Sequence, residues 1–441
     1  MRRNYWSLIV GLVVLASFQT TVAAEKTLSL PKTVTIAISE SDDTCYNYAI
    51  SEIERLLGRV DINATARTSL KSDKTWHAQI LLSKSSSIAN THLTGIEADG
   101  YTIKITKNGI ALRAKEPKGI LNGVYRLSEM MGYLFLYPGE EGEWPPLEGP
   151  ESLALGTLTE SPRFPHHGIF NGAGSIEWLE FYAKLRLNTY CNPIEKDVAT
   201  RLGLRAEQGG HLLDELYSRD EFEAHPEMFR MAQPDDFFGK RTSDFNLCVS
   251  SPYAKQLIQK NALPRLLEKQ KEGYYAWHAW PEDLPANGWC YCPVCRSLSP
   301  GDQATIAMNM LAEVIRENNI PMRVPMLAYH DTMAPGTKIK PWKELFLLFA
   351  PRKRCYGHAI DDPTCSKNIE FFADLIAWEK ALAHTDDAHT FEYYLDRVLF
   401  RGLYPFLPDI ILRDAEVYEE HGIQTHLALQ VGTAFVPKLT M

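Results

Sequence analysis

Two features are missing from this chain, and each excludes a class of function. Basic residues are not in excess: of 441 residues, 46 are Lys or Arg and 55 are Asp or Glu, a formal net charge of -9. Because binding to a phosphate backbone requires a basic face, we expect no nucleic-acid partner. After the amino-terminal region no window contains about 18 consecutive apolar residues, so we expect no transmembrane segment in the mature chain.

The amino terminus has the pattern of a secretory signal peptide. Arg2 and Arg3 precede an apolar run, Leu8–Ala16, and the small residues Val22–Ala24 follow it. A signal peptidase recognises this order of basic, apolar and small residues. We therefore predict a signal peptide over residues 1–24 and export of the protein to the periplasm or the cell exterior.

The rest of the chain contains enough apolar residues for one large core and a smaller domain. Hydrophobic residues make up 45% of the sequence and aromatic residues 11%, a composition typical of globular proteins. Residues 25–150 alternate short apolar runs with two helical patterns, and Asn108-Gly109 is typical of a hairpin turn. We predict a small α+β domain here, with a linker over its Pro-, Glu- and Gly-rich residues 139–150.

Short apolar runs and helical patterns alternate from residue 161 to the end. Most neighbouring runs are separated by a helical pattern, which argues against the alternative of an antiparallel sandwich. Alternation of this kind predicts an α/β fold, a (β/α)8 TIM barrel over residues 161–441. Because the chain stops soon after the last run, we expect the barrel to be incomplete at its carboxyl end. The eight predicted strands are 167–170, 187–191, 204–207, 274–280, 323–329, 345–349, 389–394 and 423–429.

Carboxylates end the fourth predicted strand and lie within the seventh. Glu282 follows the fourth strand directly, and Glu392 is part of the seventh. The active site of such a barrel lies at the carboxyl ends of its strands, where the fourth and seventh strands face each other across the mouth. Glycoside hydrolysis requires one protonated acid and one ionised carboxylate. We predict a retaining glycosidase with Glu282 as general acid/base and Glu392 as nucleophile or charge stabiliser.

Asp283 leaves a second catalytic arrangement open. Enzymes that use the acetamido group of their substrate as nucleophile need two carboxylates near one strand end, one to donate a proton and one to steer the amide. Neighbouring side chains of an extended strand point to opposite sides, so a bend at Pro281 would be needed for Glu282 and Asp283 to share a site. In a third interpretation, all these acids are solvated rim residues or ion-pair partners within the barrel.

Polar and aromatic residues at the same strand ends suit a sugar ligand. Aromatic rings offer apolar platforms and polar groups hydrogen-bond hydroxyls, the composition expected of a ligand pocket. Scattered histidines are more often structural than metal-binding, so we expect no cofactor for catalysis. The predicted substrate-binding residues are Asn171, His211, Trp277, Trp280, Tyr329, His330, Asp331, Tyr356, His358 and Tyr394.

The cysteines form the sharpest local pattern. Cys290, Cys292 and Cys295 make a C-x-C-x-x-C motif directly after the strand-four acids, and Cys248 is a candidate fourth ligand. Four thiolates bind zinc tetrahedrally, and such a structural site would anchor the loop that carries Glu282. Export to an oxidising compartment favours disulfides instead. Both interpretations remain open, and neither is catalytic.

Several motifs in a fixed order resemble a bacterial, mostly secreted family long catalogued as a domain of unknown function. Some members of that family are endo-β-N-acetylglucosaminidases that act on complex N-glycans. The stretch Gly119–Arg126 is similar to the domain that precedes the barrel in α-glucuronidases and β-hexosaminidases. The resemblance implies a retaining glycosidase with an accessory amino-terminal domain. The motifs are Gln208-Gly-Gly-His211, His225-Pro-Glu-Met-Phe229, Asn246-Leu-Cys248, Trp280-Pro-Glu-Asp283, Cys290-Tyr-Cys-Pro-Val-Cys295 and Arg354-Cys-Tyr-Gly-His358.

Three functions follow as hypotheses. The first is an exported glycoside hydrolase of a glycan that contains N-acetylglucosamine, on an oligosaccharide or a glycoprotein. The second is an α-glucuronidase-like hydrolase of plant polysaccharide, which needs a cation for the uronate carboxylate, and Arg354 is the candidate. The third is a glycan-binding protein without turnover, in which the carboxylates only accept hydrogen bonds from hydroxyls.

Overall fold

The computed structural model describes residues 26–38, 41–68, 80–84, 96–235, 239–244, 246–403 and 405–431. The predicted signal peptide lies outside these residues. So do the residues after 431, where the barrel was expected to be incomplete. Among the helices of the described part, none combines the length and apolar character that crossing a bilayer requires.

The amino-terminal part is built on a six-stranded mixed sheet in the order β10-β5-β6-β4-β2-β3. The predicted hairpin is present, with Thr106 paired to Gly109. The last strand of this sheet lies beyond residue 150, where the sequence predicted the domain to end. The strands are β1 (Thr27–Leu28), β2 (Thr33–Ile38), β3 (Asn63–Thr68), β4 (Ile80–Lys84), β5 (Tyr101–Thr106), β6 (Gly109–Ala114), β7 (Leu134–Phe135), β8 (Glu143–Trp144), β9 (Leu153–Ala154) and β10 (Gly156–Glu160), and the helices are α1 (Thr44–Gly58) and α2 (Pro117–Met130).

The remaining strands form the predicted TIM barrel. Eight parallel strands follow the order β14-β13-β12-β11-β18-β17-β16-β15, and the ring closes where Trp277 donates a backbone hydrogen bond of 3.1 Å to Arg323. The strands are β11 (His166–Phe170), β12 (Thr189–Cys191), β13 (Arg205–Gly210), β14 (Ala276–Ala279), β15 (Val324–Ala328), β16 (Leu345–Phe349), β17 (Ala388–Asp396) and β18 (Thr425–Val431), and the helices are α3 (Ile176–Lys184), α4 (Lys196–Leu202), α5 (Pro252–Glu272), α6 (Pro300–Glu317), α7 (Ser366–Ala381) and α8 (Pro408–Glu420).

Local signals fix the ends of the two longest barrel helices. Ser251 caps α5 by accepting a hydrogen bond from a backbone amide, and Gly273 ends the helix in the left-handed conformation. Ser299 and Asp302 form a reciprocal capping box at the start of α6. Caps of this type satisfy backbone groups that a helix end leaves unpaired. Both helices therefore begin close to the strand ends that the site uses.

The direction of each side chain follows from strand alternation. Along β17, His389 and Phe391 contact Phe346 and Phe170 inside the barrel. The intervening residues face the helices, as Trp277 does on β14, where it packs in the same core cluster as residues of α5 and α6. Because successive residues of a strand point to opposite faces, each strand contributes only every second residue to the barrel mouth.

The stretch 139–150 is not the linker that its composition predicts. It contains β8, and the carboxylate of Glu143 is buried among cations from both parts of the chain. Arg55 and Arg59 of the amino-terminal part each approach it to 2.6 Å, and Lys184 of the barrel approaches to 2.7 Å. The composition of this stretch shows residues that favour turns. It does not show that Glu143 pairs with cations far away in the sequence. This ion cluster joins the two parts.

We predict that Glu143→Gln lowers the free energy of unfolding at neutral pH. Burial opposes ionisation of Glu143, but Arg55 and Lys184 outweigh it and lower its pKa to about 2. Against an unfolded value of about 4.3, that shift corresponds to about 3 kcal/mol of stability. The contribution is complete above pH 4.3 and is lost as the pH falls toward 2.

Urea titrations of the wild type and Glu143→Gln at pH 7 and pH 3 measure this effect. The difference between the two proteins should be largest at pH 7 and smaller at pH 3. The matched control is Glu141→Gln, an exposed residue in the same turn, which should unfold like the wild type at both values. A difference that stays constant with pH would contradict the assignment.

Candidate active site

A cavity of about 530 Å³ lies at the carboxyl ends of the barrel strands. Its position is the one at which barrels of this kind carry their active sites. Aromatic rings form its floor and one wall, and polar groups lie around its rim. The aromatic residues are Phe170, Trp280, Tyr329, Phe391 and Tyr393, and the polar residues are Asn171, His211, Asp283, His330, Arg352 and Asp396.

The aromatic floor is held from below by a chain of buried polar groups. Trp280 stacks on Phe170 with ring centroids 5.0 Å apart, and its indole Nε1 donates to Nδ1 of His278 at 3.2 Å. The other ring nitrogen of His278 lies 2.8 Å from Oε2 of Glu207. Burial opposes ionisation of Glu207, but Arg205 and the histidines beside it outweigh burial and lower its pKa to about 2. The orientation of the indole is thus fixed by an ionised carboxylate inside the barrel.

Asp283 is the strand-four carboxylate that lines the cavity. Its side chain is 57% exposed, and Oδ1 lies 3.3 Å from Nε2 of His330. Burial, with Lys353 nearby, lowers the pKa of His330, although Asp283 opposes the shift. His330 is therefore neutral near pH 7 and can share a hydrogen bond with the carboxylate. Asp283 is exposed enough to meet a ligand and is held by a neighbour.

Glu282 and Asp283 follow the end of β14, and their carboxylates contact different groups. Its carboxylate accepts a hydrogen bond of 2.7 Å from Arg219, and its backbone amide donates to Oδ1 of Asn246 at 2.9 Å. Burial raises the pKa of Glu282, Asp214 adds to the rise, and Arg219 opposes it. A carboxyl group with a raised pKa keeps its proton closer to neutral pH, which a general acid needs. Glu282 lies beside the cavity without lining it.

The predicted meeting of Glu282 and Glu392 across the mouth is wrong. Glu392 has no exposed surface, and its Oε1 lies 3.1 Å from Nε of Arg354. The hydroxyls of Tyr356 and Tyr418 also donate to it. The physical reason is parity: Phe391 and Tyr393 face the barrel interior, so Glu392 between them faces α8. The carboxylate is part of a buried ion cluster between the barrel and α8.

The same parity removes other predicted residues from the cavity. Trp277 packs outward against helices, and Tyr394 donates to Asp414 of α8 at 2.8 Å. Tyr356 donates a hydrogen bond to Glu392. Arg354, the predicted partner of a uronate carboxylate, forms ion pairs with Glu392 and Asp414. His358 is exposed on the loop after β16, 3.2 Å from the sulfur of Cys355. Asp331 lies next to the cavity residue His330 but does not line the cavity itself. Five predicted substrate-binding residues do line it, namely Asn171, His211, Trp280, Tyr329 and His330.

Asp396 and Arg352 are cavity residues that the predicted set omits. Strand β17 shifts register against β18 between Glu392 and Leu395, and this bulge inserts one residue into the alternation. Asp396 would otherwise face outward with Glu392, but after the bulge it lines the cavity. Its carboxylate accepts from Arg352 at 3.1 Å and from the amides of Val398 and Leu399 at 2.9 and 3.1 Å. The pattern of apolar residues along the sequence does not reveal a bulge, although it does show that Asp396 follows the seventh predicted strand.

One cysteine group with metal-ligand spacing lies next to the acids. Cys248 joins the C-x-C-x-x-C motif as the sequence predicted, and the four sulfur atoms lie within 4.8 Å of one another. A second group on the loop after β16 combines Cys355, His358 and Cys365. No disulfide joins any of the eight cysteines, all of which lie among the described residues.

The sequence of residues 151–433 matches the family described as domain of unknown function DUF4838. The chain belongs to the DUF4838 family. No curated protein matches the DUF4838 chain. The matched residues include all eight strands of the barrel, β11 to β18.

Solved structures similar to this DUF4838 protein are glycoside hydrolases. A β-N-acetylhexosaminidase from Bacteroides fragilis superimposes with a TM-score of 0.55 at 14% identity, over 92% of this chain and 83% of that one. A chitobiase from Flavobacterium johnsoniae gives a TM-score of 0.56 at 13% identity, over 93% and 64%. A family GH115 4-O-methyl-α-glucuronidase gives 0.51 at 13% identity, over 91% and 54%. At these identities the likeness is one of fold, and the fold is that of glycosidases.

We predict that Glu392→Gln destabilises the DUF4838 protein. Removing the charge leaves Arg354 buried with only Asp414 as an ionised partner, and breaking a buried pair costs about 3 to 5 kcal/mol. Thermal and urea unfolding measure the change, and the folded variant should still bind whatever the wild type binds. Glu268→Gln, at an exposed position of α5, is the control. If Glu392→Gln is as stable as the wild type, the cluster tolerates Arg354 with Asp414 as its only ionised partner, and the prediction is wrong.

Proposed function

We propose that this DUF4838 protein is an exported glycoside hydrolase that cleaves a β-linked N-acetylhexosaminide in an oligosaccharide or glycoprotein glycan. One observation carries the proposal: two acids follow strand β14 closely, and Asp283 lines a cavity with an aromatic floor. The glycosidase fold supports the reaction class. The amino-terminal sequence pattern supports export.

The position of Glu392 favours a substrate-assisted mechanism over a two-carboxylate one. Asp396 is the remaining strand-seven acid, and its oxygens are occupied by three hydrogen bonds from Arg352, Val398 and Leu399 and by a second contact of the Arg352 guanidinium. A carboxylate whose lone pairs are occupied is a weak nucleophile. Asp396 instead holds Arg352 in place at the cavity, where the guanidinium can donate to sugar hydroxyls. The nucleophile is then supplied by the acetamido group of the substrate itself.

In this mechanism the two strand-four acids have different roles. Glu282, whose pKa is raised, gives its proton to the glycosidic oxygen as the bond from that oxygen to the anomeric carbon breaks. The acetamido oxygen bonds to the anomeric carbon, and Asp283 accepts the hydrogen bond of the amide N–H. Water then attacks the anomeric carbon and gives a proton to Glu282, while the bond from the acetamido oxygen to that carbon breaks and the acetamido group is restored. Two displacements at the same carbon give a product of retained configuration. Glu282 must exchange its bond with Arg219 for the substrate oxygen, as apo acids often do on binding.

Among the described residues that line the cavity, no cation is left free to pair with a uronate carboxylate. Arg354 is enclosed by Glu392 and Asp414. Arg352 lines the cavity, but its charge is already balanced by Asp396 at 3.0 Å. A glucuronate carboxylate would therefore meet Asp283 and Asp396 without an unpaired positive partner. We accordingly favour a neutral N-acetylated sugar as the substrate.

We predict that Glu282→Gln and Asp283→Asn each lower kcat on a β-N-acetylglucosaminide by about 10²- to 10⁴-fold, the range for loss of an acid–base group. Release of 4-nitrophenol from the aryl glycoside and new reducing ends from an N-glycan glycopeptide measure the rate. Asp235→Asn, at an exposed position, should match the wild type. Glycan binding with no product from the wild type on any substrate would instead establish a binding protein.

The identity of the nucleophile is tested separately, with substrates whose acetamido oxygen is less nucleophilic. Substrates with mono-, di- and trifluoroacetyl groups should react progressively more slowly, because fluorine withdraws electrons from the attacking oxygen. The rate should fall steeply across the series while glycoside binding changes little. A flat series would show that the amide does not attack, and would restore an enzyme carboxylate as nucleophile.

A further inference from the structure

Four buried cysteines from two distant segments converge beside the strand-four acids. Cys248 precedes α5, whereas Cys290, Cys292 and Cys295 lie between β14 and α6. Each is at most 3% exposed. The sulfur of Cys248 lies 3.8 Å from that of Cys292 and 3.9 Å from that of Cys295. The sulfur atoms thus surround one point, which two separate disulfides do not require.

These distances match a tetrahedral zinc centre. Zinc–thiolate bonds of about 2.3 Å in tetrahedral geometry place neighbouring sulfur atoms about 3.8 Å apart. A disulfide joins only two sulfur atoms, at about 2.05 Å. We propose that Cys248, Cys290, Cys292 and Cys295 bind one zinc ion that fastens the loop carrying Glu282 and Asp283.

The surroundings suit thiolate ligands. Backbone amides of Met231 and Cys292 point at the sulfur of Cys290 at 3.4 and 3.5 Å, and the amide of Cys295 points at the sulfur of Cys292 at 3.5 Å. The hydroxyl of Ser250 lies 3.2 Å from the sulfur of Cys248. Such outer contacts orient ligands and stabilise their negative charge. Four protein sulfurs close the coordination sphere, so the ion is structural and leaves no position for a reacting water.

The centre is tied to Glu282 through Asn246 and to α6 through Gln303. Asn246, two residues before Cys248, accepts from the amide of Glu282 at 2.9 Å. Gln303 of α6 accepts from the amide of Cys290 at 3.1 Å and donates to its carbonyl at 3.1 Å. Loss of the ion would free both segments that Asn246 and Gln303 connect. The effect on catalysis rests on the proposed function, whereas metal binding does not.

Metal analysis of the full chain, purified without added zinc, tests the centre. We expect about one zinc per chain in this group, the stoichiometry of a four-thiolate site. Cys292→Ser and Cys248→Ser should each lower the zinc content by one equivalent and lower the unfolding temperature. The matched control is Cys355→Ser, on the separate loop after β16, which should leave this equivalent in place.

Replacing zinc by cobalt in the wild-type protein tests the centre even if a serine variant fails to fold. Wild-type protein expressed with cobalt in place of zinc should show thiolate-to-metal charge transfer and the d–d bands of tetrahedral coordination. Metal-free, folded protein whose intact mass lacks the hydrogens of these four thiols would overturn the proposal in favour of disulfides. If the wild type cleaves no glycan, the metal content still decides the centre and only the proposed function fails. If it cleaves, removing zinc should lower kcat at least tenfold.

Discussion

The closed ring of parallel strands imposes the constraint on which the site depends. Once the ring closes between β14 and β15, each residue of a strand faces either the barrel interior or the surrounding helices. Whether a residue belongs to the site then depends less on its chemical type than on which face of the strand it occupies. Phe391 and Tyr393 form cavity surface, and the carboxylate between them becomes part of the core. The site consists of those polar residues that parity, turns and bulges bring to the interior face.

The sequence predicted the architecture well and the site only in part. All eight barrel strands were placed, because buried parallel strands leave continuous apolar runs such as Leu345–Phe349, which matches its strand residue for residue. The cavity positions of Trp280 and His330 were also predicted, since they directly follow apolar runs. Strand β3, Asn63–Thr68, was missed because its exposed, polar composition lacks such a run.

Glu392 shows what a linear pattern cannot contain. The run His389–Tyr394 is apolar enough to predict a strand, yet both of its faces are buried, so hydrophobicity gives no indication of which residues face inward. The cation that neutralises Glu392 comes from the loop after β16, and Tyr418 comes from α8. A buried carboxylate of this kind depends on partners from three elements. Its location can only be known once those elements are assembled.

The amino-terminal part contacts the barrel on the side of α3 and α4. Lys118 of α2 donates to the carbonyl of Leu202 in α4 at 3.0 Å, and Asn188 donates to Asp99 at 2.6 Å. The cluster around Glu143 lies on this side as well. These contacts involve helices and strand beginnings, and the strand ends that line the cavity belong to the barrel. The accessory part therefore supports the barrel, and none of its described residues lines the cavity.

The bulge in β17 separates two tasks that one strand would otherwise combine. Before the bulge, side-chain direction is dictated by the core, and any change of residue must respect packing on both faces. After it, a local kink turns the buried carboxylate of Asp396 toward the cavity, and the amides of the following turn hold it there. A substitution at position 396 would therefore change the cavity lining without replacing any of the inward-facing residues that precede the bulge. The kink lets a single strand build the core with its first residues and the cavity with its last.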